Sequence, residues 1–163
     1  MSKKLKVVFI LPTLHAGGAE RVISYIYKNF NRKDFEVNLL ITGFKNESKF
    51  YLEDEAIIFL NKQKVRQSVF LLLKYLFKNK PDIVFSSLSH LNTVMAYLSI
   101  FFPRTVFVGR ETFLKSDTKD YKLSRGSKFS KILSKVSYRL LDHIICQCSD
   151  MKNDLHTHIK IHN

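Results

Sequence analysis

The amino-acid sequence predicts an α/β fold, a doubly wound and mostly parallel sheet with helices on both faces. Three observations carry that expectation. Short Val-, Ile- and Phe-rich runs alternate with stretches of helical apolar spacing from one end of the chain to the other. The 163 residues, 45% hydrophobic and 13% aromatic, suit one domain with a sizeable core. No apolar run reaches the roughly 20 residues needed to cross a bilayer. The best, "VFLLLKYLF", is interrupted by Lys74 and reads as a buried helix.

In chain order, Lys6–Leu11 is the first strand. In Glu20–Phe30, Val22, Ile23, Ile26 and Phe30 form one stripe, which is helical spacing. Phe35–Thr42 is the second strand, Ser48–Glu53 a short helix or turn, and Ala56–Leu60 a short strand. Val65–Asn79 is apolar on most sides and predicts a well-buried helix. Pro81 and Asp82 open the strand "IVFSSL". Leu91–Phe102 is a helix stopped by Pro103, and Thr105–Val108 a strand. Phe113–Arg125 is polar and reads as a long loop. Ser127–Leu141 is an amphipathic helix, His143–Gln147 the last strand and Asp150–His158 the last helix. Right-handed crossovers between such strands give a Rossmann-like domain. No repeat or second domain interrupts the pattern, so residues 1–163 read as one domain. The closing "HTHIKIHN" looks like the start of a linker.

The start, "MSKKLKVVFILP", has a basic beginning and a short apolar run but no small-residue cleavage site. It reads as a strand rather than a signal peptide, so a cytoplasmic location is expected. The net charge of +13 and pI near 9.8 call for an anionic partner. Nucleic acid, acidic lipid head groups and a phosphorylated substrate all satisfy it. Cys146 and Cys148 are spaced C-x-C, not as the C-x-x-C of redox or zinc sites. They read as buried small hydrophobes, on one face if the segment is a strand. His156, His158 and His162 do not share one helical face, and no carboxylate or Cys completes a ligand set, so no metal is expected.

Gly17 and Gly18 are two of only five glycines. They follow the first strand and open the first helix. Two missing Cβ atoms permit positive φ and close approach, and a helix N-terminus offers free N–H groups to a phosphate or hydroxyl. Glu20 suits the helix dipole and can accept hydrogen bonds from hydroxyls. The pattern is neither G-x-G-x-x-G nor a P-loop. A plain tight turn is the alternative.

The stretch "FILPTLHAGGAERVISYIYKNF" resembles the first strand, glycine loop and first helix of the family 4 glycosyltransferases, with "GGAER" its most specific piece. "PDIVFSSLSHLN", "VFVGRETF" and "SYRLLDHIICQCSDMKNDL" resemble the same family in the same order. The resemblance implies the N-terminal half of a GT-B fold, in which two Rossmann-like domains face across a cleft. It implies an acceptor-binding role for this half. The nucleotide-sugar-binding half, with its E-x7-E pair, is absent from these 163 residues. Gly17, Gly18, Ala19 and Glu20 would form the loop that meets the donor diphosphate. The nucleotide sugar would be a co-substrate of the complete enzyme, bound only with that second domain; no cofactor or metal is implied.

Further candidates lie at strand ends. Ser86, Ser87, Ser89, His90 and Asn92 follow "IVF" and suit sugar hydroxyls; Ser89 as a helix cap ahead of Leu91 is a compatible alternative. Arg110 and Glu111 would bind acceptor hydroxyls or a phosphate, or form a solvent-facing ion pair. Thr112 stands where many relatives carry a His, and Thr holds no titratable proton at neutral pH. His15 precedes the glycine loop on the same rim. The acceptor candidates are thus His15, Ser89, His90, Asn92, Arg110 and Glu111. Lys128, Lys131, Lys135 and Arg139 form a basic row beside an apolar face of Phe129, Ile132, Leu133, Val136 and Leu140. That row suits an anionic membrane, and relatives often use lipid-linked acceptors; a solvated helix face is the alternative.

The expected function is transfer of a sugar from a nucleotide sugar to a glycan or lipid-linked acceptor in cell-envelope polysaccharide synthesis, with this half inactive alone. The expected place is the cytoplasm, peripherally at the inner face of the cell membrane. The alternatives are a non-catalytic basic module for nucleic acid or anionic membrane, and a truncated relic. No RNA-reader motif or recognition-helix pattern supports nucleic acid, so none is expected as a partner.

Overall fold

The computed structural model describes residues 3–50, 56–112 and 128–159. The strands are β1 (Leu5–Leu11), β2 (Phe35–Ile41), β3 (Ile57–Phe59), β4 (Ile83–Ser87), β5 (Val106–Arg110) and β6 (His143–Ile145). The helices are α1 (Gly18–Lys28), α2 (Val65–Asn79), α3 (Ser89–Ser99), α4 (Lys128–Leu140) and α5 (Ser149–Ile159). Lys45–Glu47 forms a single 3-10 turn, earlier than the expected Ser48–Glu53. Residues 51–55, and the predicted loop Phe113–Arg125, lie outside the described residues.

All six strands are parallel, in the order β3-β2-β1-β4-β5-β6. The chain winds one way from β1 and then the other way from β4. The two halves therefore diverge at the carboxyl ends of β1 and β4, where a doubly wound sheet leaves a crevice. This is the Rossmann-like architecture the alternating pattern predicts.

Two apolar layers flank the sheet because strand side chains alternate between its faces. On one face Val8, Ile10, Leu40, Val84 and Phe107 pack under Leu72 and Leu76 of α2 and Leu91 and Met95 of α3. On the other, Val7, Phe9, Leu11, Leu39 and Ile41 pack under Ile23 and Tyr27 of α1. Phe9, Phe30 and Phe85 add ring contacts, with Phe9 5.4 Å from each of the other two.

Two expectations about burial are corrected, those for α2 and for the cysteines. α2 is not covered on most sides: Phe70 is 73% and Phe77 52% exposed, while Val65, Ser68, Leu72 and Leu76 are buried. The helix is the outermost layer, so only the stripe facing the sheet is covered. On α4, among the side chains described, Ser137 and Tyr138 are buried, and Leu133 and Val136 of the apolar face are about two-fifths exposed, at 39% and 42%. The cysteines are not core residues: β6 ends at Ile145, leaving Cys146 half-buried and Cys148 exposed.

Candidate functional site at the carboxyl edge of the sheet

The two glycines do different things. Gly17 is the N-cap of α1, with φ −102°, and no glycine among the described residues has a positive φ. The left-handed backbone that the pair permits is not used. A Cβ on Gly17 would overlap the Glu20 carboxylate, which folds back over the cap and accepts a hydrogen bond from Thr13 Oγ1 at 3.2 Å. Gly17 is thus small to admit Glu20, which is 8% exposed. Gly18 is exposed, and a Cβ there would meet nothing within 4 Å. The open space beside the backbone is at Gly18. His15 stands on the same rim, half-exposed, with Nε2 3.4 Å from Glu47 Oε2.

Next along the edge, β4 passes into α3 through Leu88, whose φ of 85° is a left-handed value for a non-glycine residue. Such strain persists only where surrounding structure imposes it. Here the Leu88 carbonyl accepts from Leu91 N at 3.0 Å and Asn92 N at 2.9 Å, closing the first turn with backbone alone. Ser89 therefore does not cap α3. It lies inside the helix, and its Oγ donates to Glu111 Oε2 at 2.7 Å.

Glu111 is the centre of a buried cluster. It has no exposed surface. Its Oε1 accepts from Asn92 Nδ2 at 2.9 Å and from Tyr138 Oη at 2.7 Å. Asn92, 1% exposed, also donates to the Arg110 carbonyl at 3.0 Å and accepts from Ser86 Oγ at 2.8 Å. Gly109 makes room, since a Cβ there would stand 3.3 Å from Asn92 Cγ and 2.7 Å from Leu141 Cδ1. Burial, and then the Glu111 charge beside it, push the Tyr138 phenol well above its ordinary range. Tyr138 is thus a fixed donor. Asn92 and Glu111 face each other rather than solvent, so neither presents a polar group to an acceptor in this conformation. His90, beside them, is exposed. Partial burial lowers its pKa from 6.5, and the Glu111 charge opposes that.

Arg110 and Glu111 are not an ion pair facing solvent. Successive strand residues point to opposite faces. Glu111 turns to the α3 and α4 side, while Arg110 shares its face with its register partner Ser87, towards α1. Arg110 is 8% exposed, and its Nη1 donates to Ser87 Oγ at 3.3 Å. Burial lowers its pKa, though an arginine remains protonated at neutral pH.

The model of Glycosyltransferase Family 4 matches residues 16–163. The chain belongs to Glycosyltransferase Family 4. No curated protein sequence matches it. Among solved structures, it is similar to a sucrose-phosphate synthase from Thermosynechococcus elongatus (11% identity, TM-score 0.71), with 96% of this chain and 45% of that one covered. It is similar to the lipopolysaccharide outer core galactosyltransferase WaaB in its apo form (14%, 0.70), covering 94% and 42%. It is also similar to a UDP-GlcNAc 2-epimerase from Neisseria meningitidis bound to UDP-GlcNAc (15%, 0.60), covering 95% and 43%. At these identities the likeness concerns the fold, the Rossmann-like N-terminal half of GT-B. The chain spans less than half the length of each.

In this family 4 domain the structure brings Ser89, Asn92, Arg110 and Glu111 to one edge, with His90 beside them. On α4, Lys135 and Arg139 are exposed; the side chains of Lys128 and Lys131 lie outside the described residues, as do those of His158 and His162. A groove of about 1130 Å³ runs elsewhere, along β6, between Tyr138, Leu141, Ile144, Cys146, Lys152 and Leu155. Cys146 within it is no ready nucleophile, since burial raises its pKa. Sequence reasoning missed Tyr138. Its signal was a phenol among the apolar residues of α4, because a buried Tyr hydroxyl needs a partner. No helix among the described residues is long and apolar enough to cross a membrane.

Proposed function

We propose that this chain is the acceptor-binding half of a glycosyltransferase. The complete enzyme moves a sugar from a nucleotide-sugar donor to a hydroxyl of a glycan or lipid-linked acceptor in cell-envelope polysaccharide synthesis. The observation that carries the reading is the open backbone at Gly18, at the N-terminus of α1 and beside the switch point. Backbone N–H groups there suit a diphosphate delivered from a facing donor domain. His90 and Ser89 line the neighbouring strand end and suit acceptor hydroxyls. Glu111 positions Ser89 without touching substrate. In this reading transfer needs a facing donor domain, and the chain, which spans less than half of the solved structures it resembles, is expected to be inactive alone. The lipid-linked acceptor is supported by α4, where Lys135 and Arg139 are exposed together with Leu133 and Val136. This mixture suits peripheral attachment to an anionic membrane from the cytoplasmic side.

The test joins the chain to any coding sequence that follows the codon for Asn163. Each form is incubated with nucleotide sugars and a lipid extract, and nucleoside diphosphate release is measured. Lipid-dependent release by the joined protein, and none by the chain alone, is expected. No release by a folded, joined protein with any nucleotide sugar refutes the reading. Sedimentation with vesicles carrying anionic lipid, lost in a Lys135→Gln/Arg139→Gln variant, tests the membrane part.

A further inference from the structure

We propose that the carboxyl end of β5 holds a receptor for a phosphate-class anion, made by the Arg110 guanidinium with the Thr112 hydroxyl and Ser87 beside it. The inference deepens the acceptor reading above and rests on it for the identity of the ligand.

The first observation is a buried cation without a counter-charge. Arg110 is 8% exposed and carries five N–H donors, of which one makes a 3.3 Å bond to Ser87 Oγ. Among the described residues no carboxylate pairs with it. Its neighbour Glu111 sits on the other face of the sheet, held by Ser89, Asn92 and Tyr138. Burying an unpaired charge costs several kcal/mol in general, so natural proteins pair such groups or bring them a ligand.

The second observation is independent of the first. Thr112 Oγ1, two residues on, is a buried atom with no hydrogen-bond partner among the described residues. A hydroxyl that donates and a guanidinium that donates in a planar fork are together what a phosphate or carboxylate oxygen accepts from. The place is the end of a strand next to the switch point, where ligands of doubly wound sheets bind. A neutral sugar hydroxyl would satisfy Thr112 but leave the guanidinium's charge unbalanced. The anion thus belongs either to the acceptor, as a phosphate on its carrier, or to the donor diphosphate.

The experiment titrates the 163-residue chain with inorganic pyrophosphate at fixed ionic strength, by calorimetry and by the rise in melting temperature. One saturable site is expected. Arg110→Gln should weaken it by about tenfold or more, and Thr112→Val by less. Unliganded Arg110→Gln should be at least as stable as wild type, because it removes an unpaired buried charge; a merely structural arginine would give the opposite. Lys74→Gln/Lys78→Gln, which removes exposed charge from α2, should leave the site intact. If Arg110→Gln does not fold, Arg110→Lys keeps the charge, loses the fork and should still show the weakening. Binding that falls as much with the α2 variant as with Arg110→Gln overturns the proposal, as does binding that Arg110→Gln leaves unchanged. Geranyl phosphate and uridine diphosphate then separate the sources: the stronger Arg110-dependent ligand names acceptor or donor. Arg110-dependent binding without transfer in the joined protein keeps the receptor and sinks the transferase reading. Transfer with Arg110-independent anion binding does the reverse.

Discussion

Replacing Glu111 tests whether the buried cluster holds this edge together. Its carboxylate accepts from Ser89 at 2.7 Å, Asn92 at 2.9 Å and Tyr138 at 2.7 Å, with no exposed surface. A hydrogen bond to a charged group contributes about 1.5–3 kcal/mol. The three do not simply add. Glu111→Ala also relieves the desolvation of a buried carboxylate, which offsets part of the loss. Ser89 is half-exposed and can turn to water. Asn92 keeps the Arg110 carbonyl as acceptor. Tyr138, 2% exposed, cannot turn to water. The net loss should be about 2–4 kcal/mol. Glu111→Gln keeps the shape and one accepting oxygen, and the Ser89 hydroxyl can rotate to accept from the new amide. It should lose about 1 kcal/mol. Urea unfolding followed by far-UV circular dichroism measures both, with an unchanged slope as the check on two-state behaviour. Glu111→Ala within about 0.5 kcal/mol of wild type would refute the reasoning.

Gly18→Ala should fold as well as wild type or gain up to about 1 kcal/mol, because the position is helical and its Cβ meets nothing. In the joined protein it should nonetheless lower transfer, and unchanged transfer would place the donor elsewhere. Tyr75 is held above its ordinary value of 10.0, at about 12, by burial and then by Glu36. The folded state binds this proton more tightly than the unfolded one. Its stabilising contribution is therefore complete below pH 10 and is lost as pH rises towards 12. Tyr75→Phe should flatten that part of a stability-versus-pH curve. Leu72→Ala, at a site with no exposure, should cost about 2–5 kcal/mol. Phe70→Gln, on the same helix, should change stability by less than about 0.5 kcal/mol in denaturant titrations.

The order of elements was legible in the sequence because each strand is a short β-branched or aromatic run between punctuating residues. β1 is fixed by "KVVFIL" and β4 by Pro81-Asp82 before "IVF". Ends were less legible. α3 starts at Ser89 rather than Leu91 because Leu88 supplies the cap through a strained backbone carbonyl, which no residue type announces. The outer face of α2 was misread because periodicity reports which residues are apolar, not whether a second layer covers them. The cluster at Glu111 was legible only in part. Ser89, Asn92 and Glu111 all lie at strand ends. Their mutual contact, and Tyr138's part in it, depends on α3 and α4 packing together and on bonds between residues 19 to 27 positions apart, where Gly109 leaves room for Asn92.

The dipeptide Arg110-Glu111 unites these observations. One step of strand alternation sends two opposite charges to opposite sides of the sheet, so the mutual pairing that adjacency suggests does not form. On the Glu111 side, neutral donors from α3 and α4 satisfy the carboxylate and tie β5 to both helices. On the Arg110 side the guanidinium makes, among the described residues, a single weak bond, to Ser87 Oγ. The order imposed on one side fixes the backbone that carries the other: the Arg110 carbonyl itself is held by Asn92, at 3.0 Å, and by Leu88 N, at 3.4 Å. A cation on so firmly held a strand end loses little freedom when an anion arrives. Loosening the Glu111 cluster should therefore weaken anion binding even though Glu111 never meets the anion. Glu111→Gln should lower pyrophosphate affinity by less than Arg110→Gln does, and should do so with Arg110 intact.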